Sequence, residues 1–236
     1  MLYLIGLGLD DGEITQKGIK ALEKVDKAYA EFYTNTETVD LEKLEEQTGT
    51  EIEKLSREQV EQEDKIIESA EEKDTAFLVS GNALTATTHY EIKYRAEKEG
   101  LDVEVVHAPS IFTSISETGL NVYKFGRTVT LPQDFAPESI VEHIEKNDSI
   151  GLHTLVLLDI NYDASEAAEK LIDLDEDLED RKAIVLERAN NEDQSISLAE
   201  LGEFVDYDFG KPPHCIILVG DTSHMEEEFI EEYKLE

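Results

Sequence analysis

Cysteine and basic residues are scarce in this sequence, and each scarcity excludes something. Cys215 is the only cysteine among 236 residues, so no intramolecular disulfide can form and nothing indicates an oxidising compartment. It lies in the apolar run CIILVG, where we expect a small buried hydrophobic side chain rather than a reactive thiol. Lys and Arg total 21 against 56 Asp and Glu, a formal net charge of -35. This balance argues against a nucleic-acid partner held on a basic surface.

The excess of acidic residues does not indicate disorder. Hydrophobic residues make up 40% of the chain and recur in ordered, alternating runs. The acidic residues are instead spread along predicted helix faces, as in the stretch EKLEEQTGTEIEKLSREQVEQEDKIIESAEEKD. At molar salt the Debye length is about 3 Å, so the self-repulsion of such a chain is screened. We therefore expect a halophilic source with a salt-rich cytoplasm.

Long apolar runs and targeting signals are also missing. The opening MLYLIGLGL is too short and uncharged for a signal peptide, and no run approaches the ~20 apolar residues of a membrane span. We expect a soluble cytoplasmic protein without a membrane partner. The six histidines form no pair at helical ligand spacing, so no metal site is expected. Neither a G-x-S-x-G elbow nor a P-loop is present, so hydrolase and NTPase chemistry lack their signatures.

A glycine turn follows the first apolar run, in YLIGLGLDDGEIT. Gly6 and Gly8 fit the start of a G-x-G-x-x-G dinucleotide motif, but Asp11 occupies the third position and Gly12 comes one residue late. An acidic side chain there would repel a pyrophosphate, which needs bare backbone amides and close approach. Two interpretations stay open at this point. The turn either serves a ligand without phosphates or is only a tight exit from a strand.

Strands and helices alternate through the first half of the chain. The predicted strands are LYLIGLG, KAYAEFY, TAFLVSG and DVEVVHAPS, with EIEKLS a possible short strand. Thr15 is expected to cap a helix through QKGIKALEKVDKAYAE, and a second helix, ALTATTHYEIKYRAEKEG, closes at Gly100. Strands interleaved with helices predict a parallel sheet covered on both faces.

The pattern changes at about Ile111. YKFGRTVTLP alternates like an antiparallel strand, and GLHTLVLLDI, KAIVLERA and HCIILVG are predicted strands. DASEAAEKLIDL predicts an amphipathic helix, and SISLAELGEFVDYDFGKPP a short helix followed by a proline-rich turn. We therefore expect two α/β domains, residues 1–110 with a parallel sheet and residues 111–236 with a mixed sheet. Ligands of open α/β sheets collect at the carboxyl ends of strands. The junctions of interest are Gly8-Leu9-Asp10, Gly81-Asn82-Ala83, Ala108-Pro109-Ser110 and the strand ends near Asp159 and Ala189.

Several segments together carry a resemblance. YLIGLGLDDGEITQKGIKALEKVDKAYAE resembles the opening of the tetrapyrrole-methylase superfamily. Within it, EFYT, LSRE, ATTH, HAPSIFTSISETGLNVYKFGRTVTLP, GLHTLVLLDI and DFGKPPHCIILVG are similar to the diphthine synthase family, over nearly the whole chain. The resemblance implies two α/β domains with a cleft between them for S-adenosylmethionine, the methyl donor. Because this cofactor carries no phosphate, an acidic neighbourhood after Gly8 is acceptable, and Gly8 is expected to let the chain approach it closely.

The resemblance also implies which residues contact the cofactor. They are Leu9, Asn82, Thr85, Ser110, Ile111, Leu158, Ala189 and His214. Leu158, Ile111 and His214 equally suit a purely structural role. The family usually has Gly-Asp-Pro where this chain has Gly81-Asn82-Ala83, so Asn82 lacks the negative charge and Ala83 the fixed φ of proline. The sequence RANNEDQS also departs from the glycine- and serine-containing turn expected after Ala189.

The implied reaction is trimethylation of the amino group of 3-amino-3-carboxypropyl-histidine on translation elongation factor 2, which gives diphthine in diphthamide biosynthesis. Proximity and orientation should supply most of the acceleration, and no catalytic base is identified. The resemblance also suggests a homodimer. One alternative within the superfamily is a methylase of a corrinoid or sirohaem precursor, which should lack the HAPSIFTSISETG segment. The alternative of another class is a non-catalytic acidic binding module.

Overall fold

Two five-stranded sheets, one in each half of the chain, form the core of the computed structural model, which describes residues 1–34 and 39–235. Contacts divide the chain into Met1–Phe112, here the N-terminal unit, and Thr113–Glu236, the C-terminal unit. The expected boundary between residues 110 and 111 lies two residues before this division.

The N-terminal unit alternates strands and helices. Its strands are β1 Leu2–Gly6, β2 Lys27–Glu31, β3 Ile52–Lys54, β4 Thr75–Val79 and β5 Val103–Val106. Its helices are α1 Gln16–Leu22, α2 Leu41–Thr48, α3 Arg57–Glu61, α4 Lys65–Glu72 and α5 Tyr90–Lys98. All strand pairs are parallel and the sheet order is β3-β2-β4-β1-β5. The predicted parallel sheet is confirmed.

Apolar side chains cover both faces of this sheet. Helices α1 and α2 pack on one face through Ile19, Leu22, Leu41 and Leu44. Helices α3, α4 and α5 pack on the other through Val60, Ile66, Ile92 and Ala96. Strand β4, between β2 and β1, is buried along its whole length, as a central parallel strand requires.

Helix boundaries differ from the predicted ones in two places. Thr15 caps α1 as expected, its hydroxyl accepting the Gly18 amide at 3.1 Å, but α1 ends at Leu22 because β2 takes the residues from Lys27. The helix expected from Ala83 begins only at Tyr90. The seven residues before Tyr90 form a loop of side-chain-supported turns, so the prediction merged a strand exit with the helix that follows it.

The C-terminal unit has a mixed sheet. The short helix α6, Ile111–Ser114, spans the division between the units, and the later helices are α7 Ser139–Asp148, α8 Ala164–Leu174 and α9 His224–Ile230. The strands are β6 Val129–Leu131, β7 Thr154–Leu158, β8 Lys182–Glu187, β9 Ser195–Glu200 and β10 His214–Leu218. Short 3₁₀ turns occupy Ile115–Thr118, Val122–Lys124, Glu176–Leu178, Leu201–Phe204 and Glu231–Tyr233. The sheet order is β6-β7-β10-β8-β9.

Pairing in this sheet confirms its mixed character and corrects two element predictions. Strand β6 pairs parallel with β7, not antiparallel as the alternation in YKFGRTVTLP suggested, whereas the other pairs are antiparallel. The segment expected as a short helix after Gln194 is instead edge strand β9, in which Ile196 and Leu198 follow a period of two. Residues that fill the core include Val156, Leu171, Phe204 and Ile216. Throughout the described residues, no helix is long and apolar enough to cross a bilayer.

Candidate functional site

The two central strands of the N-terminal sheet send their connections in opposite directions. Strand β1 leads through α1 to β2, beyond β4, whereas β4 leads through α5 to β5, beyond β1. Ligands of open parallel sheets bind at such a reversal, outside the carboxyl ends of the strands. Gly8 and Gly81 join the two exits, since the Gly8 amide donates to the Gly81 carbonyl at 3.1 Å and the Gly81 amide to the Gly8 carbonyl at 2.6 Å. The candidate site of this unit therefore lies where β1 and β4 end.

The carboxylate of Glu13 folds back into the glycine turn. Its Oε2 accepts the backbone amide of Leu9 at 2.6 Å and that of Asp10 at 3.3 Å. A pyrophosphate bound at a G-x-G-x-x-G turn uses backbone amides of this kind. Because an internal carboxylate already accepts them, the turn does not offer a dinucleotide its phosphate site.

Gly8 faces Glu13 rather than open ligand space. Its φ is +85°, and a Cβ added there would lie 2.2 Å from the Cβ of Glu13. The expectation that Gly8 allows close approach of the cofactor predicts that Gly8→Val abolishes binding with a normal fold. The structure corrects that expectation, because any side chain at this position must displace Glu13 and strain the backbone. Glycine is required here by the turn itself.

Asn82 ties the exit of β4 to the exit of β5. Its amide nitrogen lies 3.0 Å from Nδ1 of His107 and donates to the Ala108 carbonyl at 3.3 Å, and its Oδ1 accepts the Leu84 amide at 3.3 Å. An aspartate could accept the same amide but could not donate to Ala108. The Asp-to-Asn departure therefore exchanges a negative charge for a hydrogen bond that fixes the turn.

The predicted contacts of the N-terminal unit gather around Gly81. A Cβ built on Gly81 would lie 3.5 Å from Leu9 Cδ2 and 4.0 Å from Ser110 Cβ, so both side chains flank this glycine. Thr85 follows in the same loop, its amide donating to the Asn82 carbonyl at 3.0 Å. Ser110 is buried, and the half-buried residue that follows it, Ile111, starts α6.

The three predicted cofactor contacts of the C-terminal unit lie at the same end of its sheet, on inner strands. Leu158 ends β7 and Ala189 follows the end of β8. His214 starts β10, which runs antiparallel to both strands and pairs with Glu187 in register. The ends of β7 and β8 and the start of β10 therefore lie side by side at this end of the sheet.

The His214 side chain is buried within its own unit and is held there through one ring nitrogen. It is 5% exposed, and its Nδ1 accepts the Ala164 amide, the first of α8, at 3.1 Å. Nε2 lies 3.7 Å from a carboxylate oxygen of the buried Glu187. Burial lowers the pKa of His214 below its usual value, which keeps the ring neutral at pH 7. Nε2 of His214 is buried and has no hydrogen-bond partner among the described residues.

Strained backbone lies next to predicted contacts in both units. Among the described residues, the non-glycine positions with positive φ are Ala86 (58°), Arg188 (43°) and Asn190 (66°). Ala86 follows Thr85, and the other two flank Ala189. Such strain persists only where surrounding contacts enforce it, and it is concentrated at functional sites. The observation supports a functional role for these two turns.

The turn after Ala189 achieves its shape without glycine. The Arg188 guanidinium donates to the carbonyls of Lys211 at 2.5 Å and Asp193 at 2.7 Å and pairs with the Asp193 carboxylate at 2.8 Å. The Asn190 amide donates to Gln194 at 2.6 Å. Asparagine tolerates the left-handed region, and these bonds hold arginine in it. The departure RANNEDQS is thereby explained.

Proteins of the diphthine synthase type match nearly the whole length of the chain. A family model described as Tetrapyrrole (Corrin/Porphyrin) Methylases matches residues 1–205. The diphthine synthase of Methanococcus aeolicus is 40% identical over 97% of this chain and 96% of its own length. The chain belongs to the diphthine synthase family. The diphthine methyl ester synthase of Schizosaccharomyces pombe is 37% identical over 99% and 94% of the two chains. A crystal structure of diphthine synthase matches with a TM-score of 0.93 at 34% identity, covering 99% of this chain and 95% of that one.

Membership of the diphthine synthase family confirms the resemblance found in the sequence. The segment that carries this resemblance most specifically is residues 107–132, and the structure shows which side chains hold it in place. Glu226 of α9 accepts the Asn121 amide at 2.9 Å and pairs with Lys124 at 2.7 Å. The buried His153 donates its own amide to the Lys124 carbonyl at 2.8 Å and accepts the Gly220 amide on Nδ1. Packing inside the C-terminal unit therefore explains much of this segment.

A second anchor of this segment is Asn147 of α7. Its Oδ1 accepts the Arg127 amide at 2.9 Å, and its Nδ2 donates to the Arg127 carbonyl at 2.9 Å and to Thr154 at 2.8 Å. A Cβ on Gly126 would lie 2.2 Å from the Asn147 oxygen, so the glycine gives the amide side chain its space. Neither α7 nor α9 was predicted, and single polar residues in unassigned stretches gave no signal of these roles. No group of three His, Cys, Asp or Glu side chains suited to a metal ion occurs within residues 1–34 and 39–235.

Proposed function

We propose that this chain is a methyltransferase of diphthamide biosynthesis that uses S-adenosylmethionine as its methyl donor. It trimethylates the amino group of the 3-amino-3-carboxypropyl-histidine of translation elongation factor 2, which gives diphthine. The full-length similarity to an archaeal diphthine synthase supports the reaction, since 97% of this chain is covered at 40% identity.

The hydrogen bonds that Glu13 accepts are the observation that favours S-adenosylmethionine over a dinucleotide as the cofactor. With the Leu9 and Asp10 amides bonded to the Glu13 carboxylate, the glycine turn lacks the donors that a phosphate requires. S-adenosylmethionine has no phosphate, and its sulfonium is a cation. The carboxylates of the turn attract a cation and repel the anionic pyrophosphate of a dinucleotide, so the residues present fit this cofactor.

We further propose that the eight predicted residues are its contacts. In the N-terminal unit, Gly81 is flanked by Leu9 and Ser110, and the Asn82–Thr85 turn is fixed by hydrogen bonds, which favours a preformed site. Backbone strain beside Thr85 and Ala189 supports a cofactor-binding role for both turns. The full set is Leu9, Asn82, Thr85, Ser110, Ile111, Leu158, Ala189 and His214.

The methyl donor supplies an activated carbon, and the chain supplies proximity and orientation. The lone pair of the neutral amine forms the new nitrogen–carbon bond while the carbon–sulfur bond breaks and its electron pair stays on sulfur, giving S-adenosylhomocysteine. Each product ammonium loses a proton to solvent before the next attack. Transfer stops at the third methyl because a quaternary nitrogen has no lone pair. Holding amine and sulfonium in line removes much of the barrier.

A second outcome of the same chemistry deserves a separate test because one relative is named a diphthine methyl ester synthase. A methyl ester forms when a carboxylate oxygen, rather than the amine, attacks the methyl carbon. Mild alkali cleaves an ester but not a trimethylammonium group. Alkali-resistant label therefore supports diphthine as the product, whereas alkali-labile label indicates the ester.

The decisive experiment offers the purified chain, in high salt, labelled S-adenosylmethionine and two forms of archaeal elongation factor 2. Only the form carrying the aminocarboxypropyl group should gain label, and mass spectrometry should find up to three methyl groups on one residue. Equal labelling of both forms, or labelling only of a tetrapyrrole precursor, would refute the proposal. Absence of heat on calorimetric titration with S-adenosylmethionine would instead favour the non-catalytic binding module.

We also propose that the chain works as a homodimer in a salt-rich cytoplasm. The charge of -35 supports the salt-rich setting, because a dense field of carboxylates is stable only when it is screened. Large exposed apolar side chains, among them Tyr123 (93% exposed) and Met225 (73%), are consistent with a covered surface. Light scattering in high potassium chloride should give twice the chain mass of 26.6 kDa; the single-chain mass would contradict the dimer.

A further inference from the structure

Three short segments that carried the family resemblance, but hold none of the proposed cofactor contacts, meet near the ends of β2 and β4. They are EFYT (Glu31–Thr34), the arginine of LSRE (Arg57) and the histidine of ATTH (His89). The Tyr33 hydroxyl lies 3.1 Å from Nε2 of His89, and the Arg57 guanidinium lies over the Tyr33 ring, 5.1 Å from its centroid. The segments are far apart in sequence, so their convergence is a property of the fold.

The centre of the cluster formed by Glu31, Tyr33, Arg57 and His89 is buried from solvent. His89 is 1% exposed, and its ring meets Phe77 edge-on with centroids 5.1 Å apart. Glu31 is fully buried and accepts the amides of Tyr33 at 2.9 Å and Thr34 at 3.1 Å. Buried polar groups of this kind are retained when they fix a conformation or take part in chemistry. The geometry decides between these roles.

A catalytic relay is excluded by the atoms that face one another. In a carboxylate–imidazole–hydroxyl relay the acid and the hydroxyl use opposite ring nitrogens. Here Tyr33 and Glu31 both face Nε2 of His89, at 3.1 and 3.9 Å, so the hydroxyl and the carboxylate do not use opposite ring nitrogens. Burial lowers the pKa of His89 to about 4 and raises that of the Tyr33 hydroxyl. A neutral imidazole therefore accepts a hydrogen bond from a protonated phenol.

The imidazole holds the far end of the loop that carries Asn82 and Thr85. The start of that loop is fixed by the Gly8–Gly81 pairing and by the contacts of Asn82. Toward its end, the Thr87 hydroxyl donates to the Ala83 carbonyl at 3.0 Å and accepts the His89 amide at 3.4 Å. Between these anchors lies Ala86 at φ 58°. The hydrogen bond to Tyr33 joins the loop end to the exit of β2.

We propose that Tyr33 and His89 are positioning residues that hold the Asn82–Thr85 turn in its cofactor-binding conformation, without touching the cofactor themselves. The inference rests on the proposed function, in which Asn82 and Thr85 contact S-adenosylmethionine. Tyr33→Phe and His89→Leu each break the same hydrogen bond, so each should weaken cofactor affinity. Their effects should not add, because the second substitution has nothing left to break.

The test is calorimetric titration of the full chain with S-adenosylhomocysteine in high salt, at a temperature well below the melting transition. Tyr33→Phe and His89→Leu should each raise Kd by about tenfold, and the double variant by no more than the larger single effect. His89→Gln keeps an acceptor for the Tyr33 hydroxyl and should recover part of the affinity. The matched control is Tyr29→Phe, which removes a hydroxyl from β2, four residues before Tyr33, and should leave Kd unchanged.

The outcomes separate this inference from the proposed function. If the unchanged chain fails to bind S-adenosylhomocysteine, the proposed function is wrong. If it binds and Tyr33→Phe binds equally well, even with a lower melting temperature, the pair is only structural and the inference is overturned. Additive losses in the double variant overturn it too. If His89→Leu does not fold, the Kd values of Tyr33→Phe and His89→Gln, each compared with that of the Tyr29→Phe control, still test the inference.

Discussion

Gly8 and Gly12 provide a matched test of what the glycine turn requires. Both have left-handed backbone, φ +85° and +84°, within one loop. A Cβ on Gly12 meets no described heavy atom within 4 Å, whereas one on Gly8 would lie 2.2 Å from Glu13 Cβ. Gly12→Ala should therefore cost only the backbone strain, about 1–2 kcal/mol of unfolding free energy. Gly8→Ala must also displace Glu13, which adds about 1–3 kcal/mol, for a total of about 2–5 kcal/mol.

Urea unfolding in about 2 M potassium chloride measures this difference, because urea is uncharged and leaves the screening of the acidic surface unchanged. The double variant Gly8→Ala with Glu13→Gly removes the overlapping Cβ and should recover part of the loss. Recovery stays partial since the carboxylate that accepts the Leu9 and Asp10 amides is removed as well. Equal destabilisation by Gly8→Ala and Gly12→Ala would refute the argument that packing against Glu13 demands glycine.

Three further predictions follow from charge and burial. The melting temperature should rise steeply between about 0.1 and 2 M potassium chloride as self-repulsion is screened, and a flat profile would contradict the halophilic interpretation. Burial lowers the pKa values of His89, His153 and His214, so the unfolded chain binds protons that the folded chain does not. The contribution of these histidines to the free energy of unfolding is fully present above their unfolded pKa of 6.5. It should fall as the pH drops toward 4, by at most about 1.4 kcal/mol per pH unit for each histidine. A free energy of unfolding that stays constant over that range would exclude the effect. Although burial opposes it, Lys124 and two backbone amides hold the pKa of Glu226 well below its usual range. Glu226→Gln should cost about 3 kcal/mol in urea unfolding, because Lys124 loses its carboxylate partner and keeps only the Asp221 carbonyl. A loss below about 1 kcal/mol would show that the Asp221 carbonyl and solvent are enough for Lys124.

The sequence predicted the sheets better than it predicted the helices. Buried parallel strands are short apolar runs ended by glycine, and that signal identified β1 and β4 directly. Helix α5 was extended backward over residues 83–89 because Ala, Leu and Thr in that loop give no break signal. The loop is stabilised by side-chain bonds, such as that from Thr87 to Ala83, which no periodicity reveals. Strand β9 was missed because only six residues carry its alternation.

The candidate site was predictable only as a set of strand ends. The parallel pattern and the strand order place Leu9, Asn82 and Ser110 at one edge of the sheet. What the residues do there depends on partners distant in sequence. Asn82 uses its amide on Ala108, 26 residues away, and His89 meets Tyr33, 56 residues away. Glu13 was missed for another reason, since a carboxylate that accepts its own turn's amides looks, in sequence, like one more acidic residue.

The place of β1 in its sheet has a consequence for how the chain is made. Residues Leu2–Gly6 pair with β4 and β5, whose residues lie about 70 and 100 positions later. A ribosome adds roughly 5–20 residues per second, so this apolar strand stays without its second neighbour for about 5–20 s of synthesis. Until then its unpaired backbone edges are open to wrong partners, and neighbouring nascent chains are the nearest source. Slowing translation over residues 7–102 should therefore raise the aggregated fraction of this protein more than the same delay placed after β5.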